Sequence, residues 1–135
     1  MPENKKKVLV ADDDEGILDV MDVMLESAGY SVTTMIRGEA VLAIKEDLPD
    51  LILLDIWMAG IDGREICKHL KNQSLTKYIP IILISANSDT EEIAKQAGAD
   101  DFICKPFDMD NFLQKVAKYS KNARPDMRYN ALNKN

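Results

Sequence analysis

Apolar residues in this chain follow two alternating patterns. Short unbroken runs, such as Val8-Leu9-Val10-Ala11 and Leu51 to Leu54, are separated by longer stretches in which apolar residues recur every three or four positions. The first pattern suits a strand buried on both faces, the second a helix with one apolar side. In chain order, Val8 to Ala11 predicts a strand. Ile17, Leu18, Met21, Met24, Leu25 and Ala28 predict a helix, with an aspartate able to cap it and Gly29 able to end it. Val32 to Met35 predicts the second strand. Val41, Ile44 and Leu48 predict the second helix, stopped before Pro49. Leu51 to Leu54 is the third strand, followed by a helix from about Asp62 carrying Ile66, Cys67 and Leu70. Ile79 to Ile84 predicts a fourth strand. Ser88 or Asp89 then caps a helix that carries Ile93 and Ala97 and ends at Gly98. Phe102 to Cys104 predicts a short fifth strand. Asp108 caps the last helix, whose face is Met109, Phe112, Leu113, Val116 and Ala117.

Strand–helix alternation repeated five times means an α/β domain built on a parallel sheet with helices on both faces. Five strands favour the doubly wound, flavodoxin-like order 2-1-3-4-5, which places a ligand crevice beyond the carboxyl ends of the strands, where the order reverses between strands one and three. The length of 135 residues suits one domain. The periodicity stops near Lys121, so residues 1–121 are expected to form the domain and 122–135 a polar tail.

Composition narrows the classes of function. With 46% apolar and 30% charged residues the chain reads as a soluble globular protein. A net charge of −6 argues against a nucleic-acid backbone as partner. No apolar run approaches a membrane span and no export signal precedes the first strand, which points to a cytoplasmic protein. Cys67 and Cys104 match no zinc spacing and read as two reduced thiols, Cys104 as a buried strand residue.

The polar residues standing directly after strand ends converge on that crevice: Asp12 and Asp13 after the first strand, Asp55 after the third, Ser85 after the fourth and Lys105 after the fifth. Three clustered carboxylates repel one another, and a hard divalent cation such as Mg2+ relieves this. One lysine beside them can pair with a carboxylate or a phosphoryl oxygen.

The segments VLVADDD, LILLDIWMAGIDG, PIILISA and GADDFICKPF, in this order, resemble the receiver domain of bacterial two-component response regulators, CheY-like in type, over roughly Lys6 to Tyr119. The resemblance implies that Asp55 accepts a phosphoryl group from a sensor histidine kinase or a histidine phosphotransfer protein. It implies Mg2+ held by Asp13 directly, by Asp12 mostly through water, by Asp55, and by the backbone carbonyl of Trp57. Ser85 and Lys105 would bind the phosphoryl group, Pro106 would follow Lys105 in a linkage often cis, and Phe102 would be the aromatic switch residue. The switch surface for a downstream effector, and for homodimerisation where it occurs, would be the fourth helix, fifth strand and fifth helix.

Two positions depart from the pattern. Ala59 stands where many relatives have proline. Trp57 is large for its place; either only its carbonyl matters or its ring shields the phosphoryl group from water, with Asn87 the other position near that path. Simpler roles are expected for Asp14 (a helix cap), His69 (exposed), and Asp100 and Asp101 (turn residues before the fifth strand). Two other functions compete with this one. A phosphatase of the haloacid dehalogenase type fits Asp12-x-Asp14, but it leaves Asp55 unexplained and needs its acidic pair after Lys105. A flavin module lacks a phosphate cradle. The signalling protein is therefore expected not to be an enzyme beyond its own phosphoryl transfer and loss. It is expected either to stand alone or to have been cut from a longer regulator.

Overall fold

Continuous burial of the central strands is what the apolar runs dictate. In the computed structural model, which describes residues 5–86 and 88–121, they form one five-stranded parallel sheet of order β2-β1-β3-β4-β5. The strands are β1 (Lys7–Ala11), β2 (Ser31–Met35), β3 (Leu51–Asp55), β4 (Ile81–Ser85) and β5 (Asp101–Cys104). The helices are α1 (Glu15–Ser27), α2 (Gly38–Leu42), α3 (Gly63–Lys71), α4 (Thr90–Ala97) and α5 (Met109–Lys121). The expected fold class and strand order are therefore observed. Residues 122–135, assigned above to a polar tail, lie outside the described residues.

Alternate residues of each strand serve opposite cores. Leu9, Ala11, Ile52, Leu54, Ile81 and Leu83 pack with Val41 of α2, Ile66, Cys67 and Leu70 of α3, and Ile93, Ala94 and Ala97 of α4. Val8, Val10, Leu51, Leu53, Ile82 and Ile84 pack on the other face with Leu18, Met21 and Leu25 of α1 and Phe112 and Val116 of α5. Every residue of β3 and β4 is buried, which is why neither strand shows polar alternation.

The helix starts follow cap chemistry. Asp14 accepts from the N–H groups of Gly16 (3.0 Å) and Ile17 (3.2 Å), Asp62 from Arg64 (2.8 Å), and Asp108 from Asn111 (2.7 Å). Asp89 occupies the cap position of α4 but makes no such bond.

Local departures have physical reasons. The second helix does not reach Leu48. It ends at Leu42, and Asp47 takes a left-handed φ of 52° that cannot continue a right-handed helix. Ile44 and Leu48 still pack on the core, from non-helical backbone. The fourth strand begins at Ile81 rather than Ile79, since Pro80 has no N–H for a ladder, although its carbonyl accepts from Ile52 at 3.0 Å. Asp101 belongs to β5 rather than to the preceding turn. Met109 is exposed rather than on the core face of α5. His69 is exposed, as expected.

Cys104 is also exposed, because β5 is an edge strand and this is its last residue. Cys67 is buried, and burial pushes its thiol up to about 11. At pH 8, Cys67 is expected to react with an aromatic disulfide on the order of 100-fold more slowly than Cys104. A stopped-flow thiol titration of wild type and Cys104→Ser checks this. Two equally fast thiols in the folded wild type would contradict the burial.

Candidate functional site

Strand register brings the acidic residues to one rim. Ala11 lies beside Leu54 and Asp55 beside Ile84, so the residues after β1 and at the end of β3 and β4 emerge together. Two backbone bonds hold the rim: Ile56 N–H donates to Ile84 O (3.0 Å) and Lys105 N–H to Ser85 O (2.8 Å). Asp12 and Asp55 are buried at 1% and 5% exposure, whereas Asp13 is exposed. One carboxylate oxygen from each of the three lies within 4.8 Å of those of the others.

Lys105 enters this group from β5. Its Nζ is 3.1 Å from Asp12 Oδ2 and 3.6 Å from Asp55 Oδ1, so its shorter contact is with Asp12. Burial alone would lower the lysine's pKa. The hydrogen bond to Asp12 and the charges of Asp55 and Asp12 outweigh it, and the net direction is upward. Asp55 is pushed up to about 6, first by burial and then by the Asp12 charge; Lys105 opposes these and Asp13 adds to them. A single ammonium does not balance three carboxylates at this spacing.

The donor set therefore fits a hard cation. All three groups offer oxygen, none is soft, and two of the three carboxylates are buried. Ser85 is fully buried at the end of β4, next after the residue that pairs with Asp55. Phe102 lies in β5, half-buried, with Lys115 against it. Lys115 Nζ stands 4.6 Å from the ring centroid and donates to the Phe102 carbonyl at 2.6 Å and to Asp101 at 3.1 Å. The Lys105–Pro106 peptide is cis.

Trp57 is half-exposed, two residues beyond Asp55 and bridged through its backbone to Asp62. The Arg64 guanidinium carbon sits 5.0 Å from the indole centroid. Asp62 holds that guanidinium, with Arg64 Nε at 3.0 Å from both carboxylate oxygens; this bond holds the Asp62 carboxyl below the usual range. Asn87 lies outside the described residues.

The sequence-predicted residues Asp12, Asp13, Asp55 and Lys105 thus meet at one place. Ser85 ends β4 and Trp57 stands just past β3, whereas Phe102 lies within β5 beside Leu83. Three further contacts were not anticipated: Arg64 on Trp57, Lys115 on Phe102, and the Ala59 N–H donating to Asp13 Oδ2 at 2.9 Å. Asp62 and Arg64 are two positions apart, a spacing that within a helix does not bring side chains together, so the sequence carried no signal for the first. A backbone donor leaves no signature in the sequence.

Known proteins resemble this chain in sequence and in fold. A family model described as response regulator receiver domain matches residues 8–117. The chain is 33% identical over 124 residues to the phosphate regulon transcriptional regulatory protein PhoB of Rhizobium meliloti, covering 90% of this chain and 55% of that protein. It is 40% identical over 105 residues to the alkaline phosphatase synthesis transcriptional regulatory protein PhoP of Bacillus subtilis, covering 76% and 43%. The chain thus spans about half the length of these curated relatives. Among solved structures, a putative response regulator from Chloroflexus aurantiacus matches with a TM-score of 0.82 at 30% identity, over 87% of this chain and 99% of that one. The receiver domain of sensor histidine kinase PA1611 from Pseudomonas aeruginosa, with a magnesium ion coordinated in its active site cleft, matches with a TM-score of 0.80 at 26% identity over 87% and 99%.

Proposed function

The chain belongs to the response regulator receiver family, a family of phosphorylation signalling domains rather than enzymes, and from that premise we propose a specific role for each residue at the rim. Asp55 is the phosphoryl acceptor. One of its carboxylate oxygens attacks the phosphorus of a phosphohistidine on a kinase or phosphotransfer protein. The P–N bond breaks, its electron pair stays on the imidazole nitrogen, and an acyl phosphate forms on Asp55. The observation that carries this reading is the convergence of three carboxylates, two of them paired with one lysine, Lys105 Nζ standing 3.1 Å from Asp12 and 3.6 Å from Asp55.

Asp12, Asp13, Asp55 and the Trp57 carbonyl would hold Mg2+. Bound there, the ion would offset charge on the transferring phosphoryl group. Lys105 would exchange its carboxylate partner for a phosphoryl oxygen, and Ser85 would donate to another. Rearrangement around Ser85 would then move Phe102, altering the α4–β5–α5 face that meets an effector or a second copy. The catalytic work is positioning and electrostatics. An apolar groove of about 560 Å3, lined by Ile17, Val20, Pro106 and Phe107, opens beside Lys105 and suits the phosphohistidine-bearing donor, which must approach this rim. Among the described residues no helix is long and apolar enough to cross a membrane, and we place the protein in the cytoplasm. Residues 1–121 form the receiver domain in this reading, with 122–135 a polar tail.

The test is labelling with Mg2+ and radiolabelled acetyl phosphate, followed by peptide mapping. Hydroxylamine-sensitive label on the Asp55 peptide, absent in EDTA, is expected. Label at another residue would overturn the assignment. Steady phosphate release that survives Asp55→Asn but is lost in Asp12→Asn would indicate a phosphatase instead.

Trp57 sets the lifetime of the acyl phosphate in this reading, because its Arg64-held ring excludes water from the rim. Trp57→Ala is expected to speed dephosphorylation roughly three- to ten-fold. An unchanged decay rate of the labelled protein would leave Trp57 with only a backbone role.

A further inference from the structure

Asp13 is the exposed member of the carboxylate trio, whereas Asp12 and Asp55 are buried. An exposed aspartate samples several rotamers unless a bond selects one, and a ligand that needs one of them must overcome that freedom. Here the selecting bond comes from the backbone 46 residues away: Ala59 N–H donates to Asp13 Oδ2 at 2.9 Å. With it in place, Asp13 keeps an oxygen within 4.8 Å of those of Asp12 and Asp55. A carboxylate has about four acceptor sites, so one N–H bond leaves room for a cation.

The bond also fixes the donor's own segment. Ala59 follows Met58, which is 7% exposed and packed in the core, and precedes Gly60, whose φ is 86°. Trp57, proposed above to offer a carbonyl to the metal, lies in the same segment. One hydrogen bond therefore ties the loop after β1 to the loop after β3 across the mouth of the site. A proline at position 59 would carry no N–H and could not form this tie.

We propose that the Ala59 N–H is a positioning group for the divalent cation, holding the Asp13 carboxylate and the Trp57 segment in binding register. This rests on the metal reading given above, and the two fail in different ways. The measurement is a Mg2+ titration followed by calorimetry and by fluorescence of Trp57, the single tryptophan. Ala59→Gly keeps the N–H and is expected to bind within about two-fold of wild type. Ala59→Pro removes it and is expected to bind at least about five-fold more weakly, in the direction seen when groups that orient a metal ligand are removed. Equal affinity in Ala59→Pro, or equal weakening in Ala59→Gly, would overturn the proposal.

Amide hydrogen exchange of metal-free protein provides a second reading that needs neither variant. The Ala59 amide is expected to be protected in wild type and to exchange faster in Asp13→Ala. An equally fast amide in both would also overturn it. Wild type that binds no Mg2+ would defeat the metal reading itself, and the proposal with it.

Discussion

Asp55→Asn is expected to abolish phosphoryl labelling and, at the same time, to stabilise the metal-free protein. The loss of label follows from the missing nucleophile, since an amide oxygen forms no acyl phosphate. The gain in stability follows from the cost of the native group. Asp55 is 5% exposed, and its pKa is pushed up to about 6 by burial and by the charges of Asp12 and Asp13, against Lys105. At neutral pH the folded chain therefore holds an ionised carboxylate that would be easier to ionise in water. An isosteric amide relieves that cost, on the order of 2 kcal/mol. For a domain of this size it corresponds to a rise in melting temperature of about 5 °C or more. Calorimetry in EDTA checks this, and a variant less stable than wild type would refute it. Added Mg2+ should raise the melting temperature of wild type more than that of Asp55→Asn, because only wild type offers the full set of three carboxylates.

Gly63→Ala is expected to damage the fold and the site together. A Cβ at Gly63 would stand 2.3 Å from the Asp55 carbonyl oxygen and 2.8 Å from Ile56 Cα. Both atoms are backbone at the end of β3, and Gly63 N–H donates to Ile56 O at 2.8 Å, so neither side can yield cheaply. The expected loss is about 3 kcal/mol, at the upper end for overpacking. Strand and helix must separate, which shifts the residue that presents Asp55, so labelling should also slow. Urea denaturation and the rate of labelling measure the two effects. At Gly38 a Cβ would meet Ile61 Cγ2 and Ile66 Cδ1, side-chain rather than backbone atoms, so Gly38→Ala should cost less. A Gly63→Ala protein as stable as wild type would show that the close approach is not fixed.

Much of this molecule was legible in its sequence because burial writes directly into residue choice. Leu51 to Leu54 is apolar throughout since both faces of β3 are covered, and Asp55 is the residue at which that cover ends. The same logic placed Asp12 and Lys105. Where contact and backbone shape part company, the pattern misled. Val41, Ile44 and Leu48 have helical spacing because all three touch the core, yet only Val41 lies in α2. Cys104 looked buried by its apolar neighbours, but the expected strand order already put β5 at the sheet edge, where its last residue is exposed. The hold of Ala59 on Asp13 was illegible, since every residue but proline carries the same N–H.

The pairing of Lys105 with Asp12 spans 93 positions and closes the site from the last strand of the sheet. Protein synthesis delivers these residues in a fixed sequence. A nascent chain that has passed β3 already carries Asp12, Asp13 and Asp55, and β1 can lie against β3 only by bringing their charges together. Lys105 leaves the ribosome last and docks only when β5 pairs with β4. Parallel pairing over such distances forms slowly relative to local helices. Mutual repulsion of the acids therefore opposes early closure of the central strands, and the late ammonium relieves it. Any chemistry that needs Lys105 beside Asp55 is withheld until β5 has been made and has paired with β4.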